Sequence, residues 1–330
     1  MLRVGLVGLG WWGKHMIHTI NDSSKLTLIR AVEVNLREGK KIAAEHGINV
    51  SSDFDDLLKD NEVQVVILAT PHSLHEEQIA RVASAGKHVF CEKPLGLTKK
   101  SAERSVARCK EANVMLGVGH ERRFEPALQE IKKMVQTNSL GTIMHVEANF
   151  NHDILANMPK GDWRTTRENA PAAGMTAMGI HLSDAYIWMF GEIDEVFAQT
   201  AQRVAEQENG DVLMVQVRFK SGALGYLNAT KVTPFFMRFQ VFGSEGWVEA
   251  RDSAHPEYGG VTTLTLCRKG GNPESRAMAP SNTVLDNLES FADAITGHGK
   301  YIQTQKEMIE NIALLDAVTQ SAVSGKLIKM

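Results

Sequence analysis

The chain has 330 residues, of which 43% are hydrophobic, and its formal net charge is −3 with both signs interspersed. This length suits two domains, the mixed charge disfavours nucleic-acid binding, and no apolar run approaches the length of a membrane span. Cys91, Cys109 and Cys267 form no Cys-x-x-Cys pair, and a strand predicted from Leu2 leaves no room for a signal peptide. We therefore expect a soluble cytoplasmic protein that binds neither nucleic acid nor membranes.

The first predicted strand, Leu2 to Val7, leads directly into the sequence Gly8-Leu9-Gly10-Trp11-Trp12-Gly13 and a helix to about Ile20. Gly-x-Gly-x-x-Gly between a strand and a helix is the dinucleotide-binding fingerprint. Its first glycine permits a tight turn, its second lets the backbone approach a pyrophosphate, and its third lets the helix pack closely. The free N–H groups at the helix start suit phosphates. The pattern predicts that these six residues bind a dinucleotide.

The second predicted strand, Leu26 to Val32, ends at Glu33, twenty residues after the last glycine of the fingerprint. A carboxylate in this position accepts hydrogen bonds from the ribose hydroxyls of the cofactor. It would also repel a 2′-phosphate, which favours NAD(H) over NADP(H). Arg37 and Lys40 follow shortly, on a helix predicted from Leu36 to His46, and keep NADP(H) open as an alternative.

A buried strand predicted at Val63 to Ala69 ends in Thr70-Pro71-His72, and His75 lies in the first turn of the helix that follows. Two histidines three residues apart are compatible with a metal site, but no third ligand accompanies them. We expect no metal here. We predict instead that Thr70, Pro71, His72 and His75 lie beside the nicotinamide.

A short buried strand, His88 to Cys91, stops at Glu92-Lys93-Pro94. Proline cannot donate to a sheet ladder and restricts the residue before it, so Lys93 is held on a stiff backbone. The carboxyl end of a strand is where open α/β sheets bind ligands. A helix capped by Thr98 and a strand from Val114 to Val118 follow, and the alternation predicts a parallel, doubly wound sheet.

Several motifs come in a recognisable order and spacing: the glycine fingerprint, Ala69-Thr70-Pro71 with His75, Ala85-Gly86-Lys87-His88-Val89, Glu92-Lys93-Pro94, Arg122-Arg123-Phe124-Glu125-Pro126, Gly161-Asp162-Trp163-Arg164 and Gly179-Ile180-His181-Leu182-Ser183-Asp184. This set resembles the glucose–fructose oxidoreductase / inositol dehydrogenase / rhizopine-catabolism (Gfo/Idh/MocA) family. The resemblance implies an NAD(P)-dependent oxidoreductase that transfers a hydride between the nicotinamide and a secondary alcohol or ketone of a sugar, cyclitol or related polyol.

The resemblance also implies an organisation. Residues 1–120 would form a Rossmann domain, and residues 121–330 an α/β domain with a large, mostly antiparallel open sheet that binds substrate. In the second half, strands are predicted at Val196–Thr200, Asp211–Phe219, Gly222–Thr230, Met237–Val241 and Trp247–Ala250 as an antiparallel meander, then at Val261–Cys267. A loop to about Asn282 and two helices, Val284–Ile295 and Gln305–Ser324, complete the chain. Relatives pair subunits through this sheet, so a homodimer or homotetramer is expected.

By the same resemblance, Lys93 matches the family lysine that lies close to the nicotinamide and the substrate hydroxyl, with Glu92 at the cofactor. Arg123 and the pair Trp163-Arg164, which stands in a long irregular stretch, are expected at the substrate. His181, on a helix predicted from Thr176 to Phe190, would act as general acid/base.

One departure from the family pattern concerns Ala177. Many relatives carry Asp-x-x-x-His on this helix, and Ala177 occupies the aspartate position. An alternative reading is therefore a cofactor-binding sensor or regulator that kept the fold and lost the chemistry, although Lys93 and His181 are intact. A sugar-binding module without cofactor is hard to reconcile with the glycine fingerprint and Glu33.

Overall fold

The computed structural model describes residues 1–159, 161–255 and 258–330. They form two compact units, the first from residues 1–121 and 282–309, the second from residues 122–281 and 310–330. Residues 282–309 were expected in the second domain, but their packing places them in the first unit. Among the described residues, no helix is both long enough and apolar enough to cross a membrane.

The first unit contains a parallel sheet of six strands in the order β3-β2-β1-β4-β5-β6. The strands are β1 (Leu2–Val7), β2 (Leu26–Val32), β3 (Asn49–Ser51), β4 (Val65–Leu68), β5 (His88–Cys91) and β6 (Leu116–Val118). This is the doubly wound order, which confirms the predicted Rossmann fold. The order reverses between β1 and β4, so the carboxyl ends of these two strands mark the ligand-binding edge.

The described residues contain nine α-helices: α1 (Trp11–Asn21), α2 (Leu36–His46), α3 (Phe54–Lys59), α4 (His75–Ser84), α5 (Lys99–Glu111), α6 (Pro126–Gln136), α7 (Ile180–Phe190), α8 (Thr283–Thr296) and α9 (Gln305–Ser324). Thr98 caps α5, as predicted, and forms a reciprocal capping box with Ser101. Leu288 and Phe291 of α8 are buried in one core with Leu6 of β1 and Ile17 of α1. This apolar burial explains why a segment so late in the sequence belongs to the first unit.

The second unit contains a sheet of nine strands in the order β14-β13-β12-β11-β7-β10-β9-β8-β15. They are β7 (Ile143–Asn151), β8 (Ile193–Ala201), β9 (Val212–Phe219), β10 (Leu224–Thr230), β11 (Phe236–Gly243), β12 (Gly246–Asp252), β13 (Thr262–Arg268), β14 (Glu274–Met278) and β15 (Ile328–Lys329). All pairs are antiparallel except β10 with β7, which confirms the mostly antiparallel sheet. The predicted simple meander was wrong. Strand β7 lies between β10 and β11 and forms backbone hydrogen bonds with both of them.

One further local expectation was wrong. The stretch predicted as a loop before residue 282 contains β14, whose mostly exposed residues carry no strand pattern and pair with β13 at the sheet edge. The helix predicted from Thr176 to Phe190 is present, but its first turn, Met175–Gly179, is π-helical and α7 follows it directly. Wider π turns arise within helices frequently at functional sites, and residue periodicity does not reveal them.

Candidate active site

The glycine fingerprint has the geometry that a dinucleotide requires. Gly8 has φ +91°, and a Cβ there would lie 2.6 Å from the Ala69 carbonyl oxygen. A Cβ at Gly13 would lie 2.0 Å from the Gly8 carbonyl oxygen, so only glycine allows α1 to pack this closely. A Cβ at Gly10 would meet no atom within 4 Å, and Gly10 starts α1 without a side-chain cap. The backbone N–H groups at this helix start therefore remain approachable for a pyrophosphate.

Glu33 lies directly against the fingerprint. Its Oε2 accepts a hydrogen bond from the Leu9 N–H at 2.7 Å, and its Oε1 accepts from the Asn35 N–H at 3.0 Å. The carboxylate thus stands at the end of β2 beside the first turn of the loop, where ribose hydroxyls would reach it. The structure brings these predicted cofactor residues together.

The two tryptophans of the fingerprint differ in exposure. Trp11 is 57% exposed, whereas Trp12 is half-buried, and their ring centroids lie 5.6 Å apart. Trp12 also stacks at 4.9 Å on His15 of the next turn. Trp12 faces the protein at the start of α1, and Trp11 faces outward.

The loop after β4 is held by His75. This side chain is fully buried, its Nδ1 lies 2.8 Å from the Pro94 carbonyl oxygen and its Nε2 lies 3.0 Å from the Thr70 carbonyl oxygen. A neutral imidazole carries one N–H, so it can donate to only one of the two carbonyls. Burial lowers the pKa of His75, against the opposing effect of the carbonyls. The ring ties the end of β4 to the Lys93-Pro94 turn, which leaves no ring nitrogen for direct contact with a cofactor.

The rest of this loop stays at the ligand-binding edge. Thr70 follows β4 and donates its hydroxyl to Gln78 Oε1 at 2.5 Å. His72 opens the short 3₁₀ turn after Pro71, with its ring centroid 5.9 Å from that of His75. Over the described residues, no group of three or more potential metal ligands comes together.

Glu92 and Lys93 follow β5 at the same edge of the sheet. Glu92 is buried, its Oε2 accepts from the Lys93 N–H at 3.2 Å, and a Cβ at residue 119 would lie 2.5 Å from its Oε1, so Gly119 provides the space. Burial, reinforced by the negative charge of Glu121, raises the pKa of Glu92 to about 8. The Trp12 indole opposes this shift, although its Nε1 makes no hydrogen bond of normal geometry within the described residues. Lys93 itself is half-buried beside this carboxyl group.

In the second unit, Arg123 forms a buried ion pair. Its Nε and Nη2 donate to the two carboxylate oxygens of Asp184, both at 2.8 Å, and the side chains are 1% and 3% exposed. The guanidinium also lies 5.6 Å from the Trp188 ring. The edge of the guanidinium formed by Nε and Nη2 anchors α7, and a contact of Arg123 with the substrate stays a prediction.

Trp163 and Arg164 stack on each other. The guanidinium carbon lies 4.1 Å from the indole centroid, and both residues are half-buried. The Arg164 carbonyl accepts from Asn209 Nδ2 at 2.9 Å, and Asn209 Oδ1 accepts from the buried Lys231 ammonium at 2.7 Å. Burial lowers the pKa of Lys231 to about 8. This network fixes the long irregular segment that carries the stacked pair.

His181 stands in the first turn of α7 and is 5% exposed. Its ring centroid lies 6.1 Å from that of Phe150, at the end of β7. Two histidines that the sequence analysis did not single out, His152 and His255, lie around the same ring at 5.3 and 5.6 Å. His152 lies directly after β7, and no sequence pattern singles it out.

Comparison with known proteins identifies the family. A family model described as an oxidoreductase family with an NAD-binding Rossmann fold matches residues 2–120, and the GFO/IDH/MocA C-terminal domain matches residues 128–249. The chain is 26% identical over 330 residues to the 1,5-anhydro-D-fructose reductase of Ensifer adhaerens, covering 99% of this chain and 98% of that protein. It is 28% identical over 348 residues to the myo-inositol 2-dehydrogenase of Thermotoga maritima, covering 99% and 92%.

A solved relative agrees with these matches. The WlbA dehydrogenase of Bordetella pertussis, in complex with NADH and UDP-GlcNAcA, superposes with a TM-score of 0.86 at 25% identity, covering 100% of this chain and 97% of that one. The two family models together match more than half of the chain. The chain therefore belongs to the GFO/IDH/MocA family of NAD(P)-dependent oxidoreductases.

Proposed function

We propose that this oxidoreductase uses NAD(H) in preference to NADP(H) to interconvert a secondary alcohol and a ketone on a sugar, cyclitol or related polyol. The observation that carries the cofactor preference is the Glu33 carboxylate, 2.7 Å from the Leu9 N–H of the fingerprint. A 2′-phosphate placed there would meet a negative charge at close range. The relatives named above act on an anhydro sugar and on a cyclitol, which supports the substrate class.

Lys93 and His181 are the proposed catalytic residues. A nicotinamide cofactor held by the glycine fingerprint and Glu33 would supply the hydride acceptor in oxidation and the hydride donor in reduction. The Lys93 ammonium donates a hydrogen bond to the substrate oxygen and stabilises the charge that develops there. His181 takes the hydroxyl proton during oxidation and returns it during reduction. Arg123 and His75 act indirectly, since the first anchors α7 below His181 and the second holds the turn that bears Lys93.

Other residues line the proposed sites. The N–H groups of Trp11 and Trp12 would bind the pyrophosphate, with Thr70, Pro71, His72 and Glu92 around the nicotinamide end. Trp163 and Arg164 would contact the substrate as one stacked platform. His75 would support this cofactor site through the Thr70 and Pro94 carbonyls.

A screen of the purified protein tests the proposal. NAD⁺ and NADP⁺ are each offered with a panel of sugars and cyclitols, and reduced nicotinamide absorbance reports turnover. Lys93→Ala and His181→Ala serve as chemical controls, and the double variant measures whether the two residues act on one step. If they do, the double variant loses little more activity than the worse single variant.

The sensor alternative makes a different prediction, motivated by Ala177. A sensor would bind NAD(H) tightly and turn over no member of the panel. Ala177→Asp distinguishes the cases further, because in a working enzyme a carboxylate near His181 shifts the pH profile of an existing activity. A blank screen for both the wild type and Ala177→Asp, with tight cofactor binding, would establish the sensor.

We also propose that the protein is a cytoplasmic homodimer or homotetramer formed through the outward face of the large sheet. Apolar side chains on this face remain partly exposed, among them Met214 of β9 and Leu224 of β10, at 41% and 46%. Phe236 and Trp247 continue the face on β11 and β12 and are half-buried. Light scattering after size-exclusion chromatography tests this, with Leu224→Glu expected to shift the mass toward the monomer.

A further inference from the structure

An imidazole cluster, defined as His152, His181 and His255, surrounds one aromatic ring in the second unit. The ring belongs to Phe150, and the centroid distances from it are 5.3 Å to His152, 5.6 Å to His255 and 6.1 Å to His181. His152 and His255 also contact each other edge to face at 5.3 Å. His152 is buried and His255 half-buried. Of these three imidazoles, the proposed hydride transfer uses only that of His181, so the roles of His152 and His255 remain to be explained.

A buried guanidinium adjoins the cluster. The Arg122 guanidinium carbon lies 4.4 Å from the Phe150 ring centroid, and the residue is 5% exposed. Its Nη1 donates to Glu125 at 2.7 Å and contacts the Met237 sulfur at 3.0 Å. Its Nε is buried and makes no hydrogen bond within the described parts of the chain. A guanidinium donates strongly at every one of its nitrogens, so an unmatched buried Nε indicates a missing acceptor.

Acidic groups and hydrogen-bond donors both adjoin the cluster. Two carboxyl groups face Arg122: Glu125, which forms the ion pair, and Asp252, whose pKa is raised by burial and which accepts a hydrogen bond from the Thr262 hydroxyl. The guanidinium and the ring N–H groups of the three imidazoles are hydrogen-bond donors. A group that only accepts hydrogen bonds would therefore match these donors.

We propose that the imidazole cluster and Arg122 bind the carboxylate of an acidic sugar. A carboxylate only accepts hydrogen bonds, and bonds from charged donors to it are stronger than those to a hydroxyl group. This inference rests on the proposed function, because His181 is shared between recognition and proton transfer, and it narrows the substrate class from polyols in general to sugar acids.

Binding of matched pairs of sugars tests the inference. D-glucuronate is compared with D-glucose, and D-galacturonate with D-galactose, by calorimetric titration of the full chain saturated with NADH. At pH 6 at least one acid should bind about tenfold more tightly than its neutral partner, the effect expected of charge-assisted hydrogen bonds.

The variants isolate the two additional histidines. His255→Phe and His152→Phe should each weaken binding of the acid about tenfold and leave the neutral sugar unchanged. His145→Phe is the matched control, because His145 lies on β7 with its ring stacked on Phe242, about 17 Å along the strand from Phe150. Thermal melts check that each variant folds. If His255→Phe or His152→Phe does not fold, the glutamine variant at the same position, His255→Gln or His152→Gln, takes its place.

Each outcome decides the question. Equal affinity for acid and neutral sugar in both pairs, or unchanged acid affinity in both histidine variants, overturns the inference. Tighter binding of D-glucose 6-phosphate than of either acid also overturns it and assigns the site to a phosphate. If neutral sugars are oxidised without any acid preference, the proposed function stands alone. If acids bind through the histidines but no sugar is oxidised, the inference stands and the proposed function fails.

Discussion

The ion pair between Arg123 and Asp184 allows a structural role to be separated from substrate binding. Arg123→Met would leave the Asp184 carboxylate at a site where the two side chains are 1% and 3% exposed. Removing one partner of a buried ion pair lowers the free energy of unfolding by about 3–5 kcal/mol, because the charge of the other partner stays buried. At about 2–4 °C per kcal/mol for a unit of this size, the melting temperature of the second unit should fall on the order of 10 °C. Arg123→Met combined with Asp184→Leu should recover most of this loss, since an apolar pair replaces both charges.

Thermal denaturation followed by circular dichroism measures these shifts, and steady-state kinetics measure the effect on substrate. Arg218→Met is the control: Arg218 pairs with Glu195 at 3.1 Å, but the two side chains are 52% and 23% exposed. Loss of this exposed ion pair should lower the free energy of unfolding by less than about 1 kcal/mol. The structural role is refuted if Arg123→Met melts like the wild type while its KM for substrate rises. The failure of the double variant to recover stability would show that Arg123 contributes more than a compensating charge.

The remaining predictions concern the cofactor edge of the first unit. Lys93→Ala should lower turnover by a factor on the order of 10² to 10⁴ with little change in NADH affinity, measured by fluorescence titration; near-normal turnover would make Lys93 structural. Glu33→Ser should narrow the preference for NAD(H) over NADP(H) in the same titration, and a wild type that prefers NADP(H) would mean that Arg37 or Lys40 outweighs the carboxylate. The folded state raises the pKa of Glu92 from 4.5 to about 8, so its stabilising contribution is complete below pH 4.5 and is lost as the pH rises through 8. Glu92→Gln should flatten this decline in urea unfolding, and an unchanged pH dependence would show that the group does not titrate differently on folding.

The sequence by itself determined the local elements and the cofactor fingerprint. Hydrophobic periodicity, helix capping and glycine spacing depend on residues that are close in sequence. For this reason α2, β5 and the Thr98 cap were predicted at their observed positions. The parallel, doubly wound character of the first sheet followed as well, because alternating strands and helices have few permitted topologies. The positive φ of Gly8 and the close approach of Gly13 to the Gly8 carbonyl are local in the same sense, since both belong to the turn between β1 and α1.

Only the tertiary structure decided which distant groups meet. Arg123 and Asp184 are 61 residues apart in sequence, and no local pattern shows that they neutralise each other. The same holds for His75, whose carbonyl partners fix it as a support, and for His255, which reaches the Phe150 ring across the sheet. The insertion of β7 between β10 and β11 is equally non-local. Every strand with one apolar face shows the same alternating pattern, so only the competition among all strands for partners decides which strands pair.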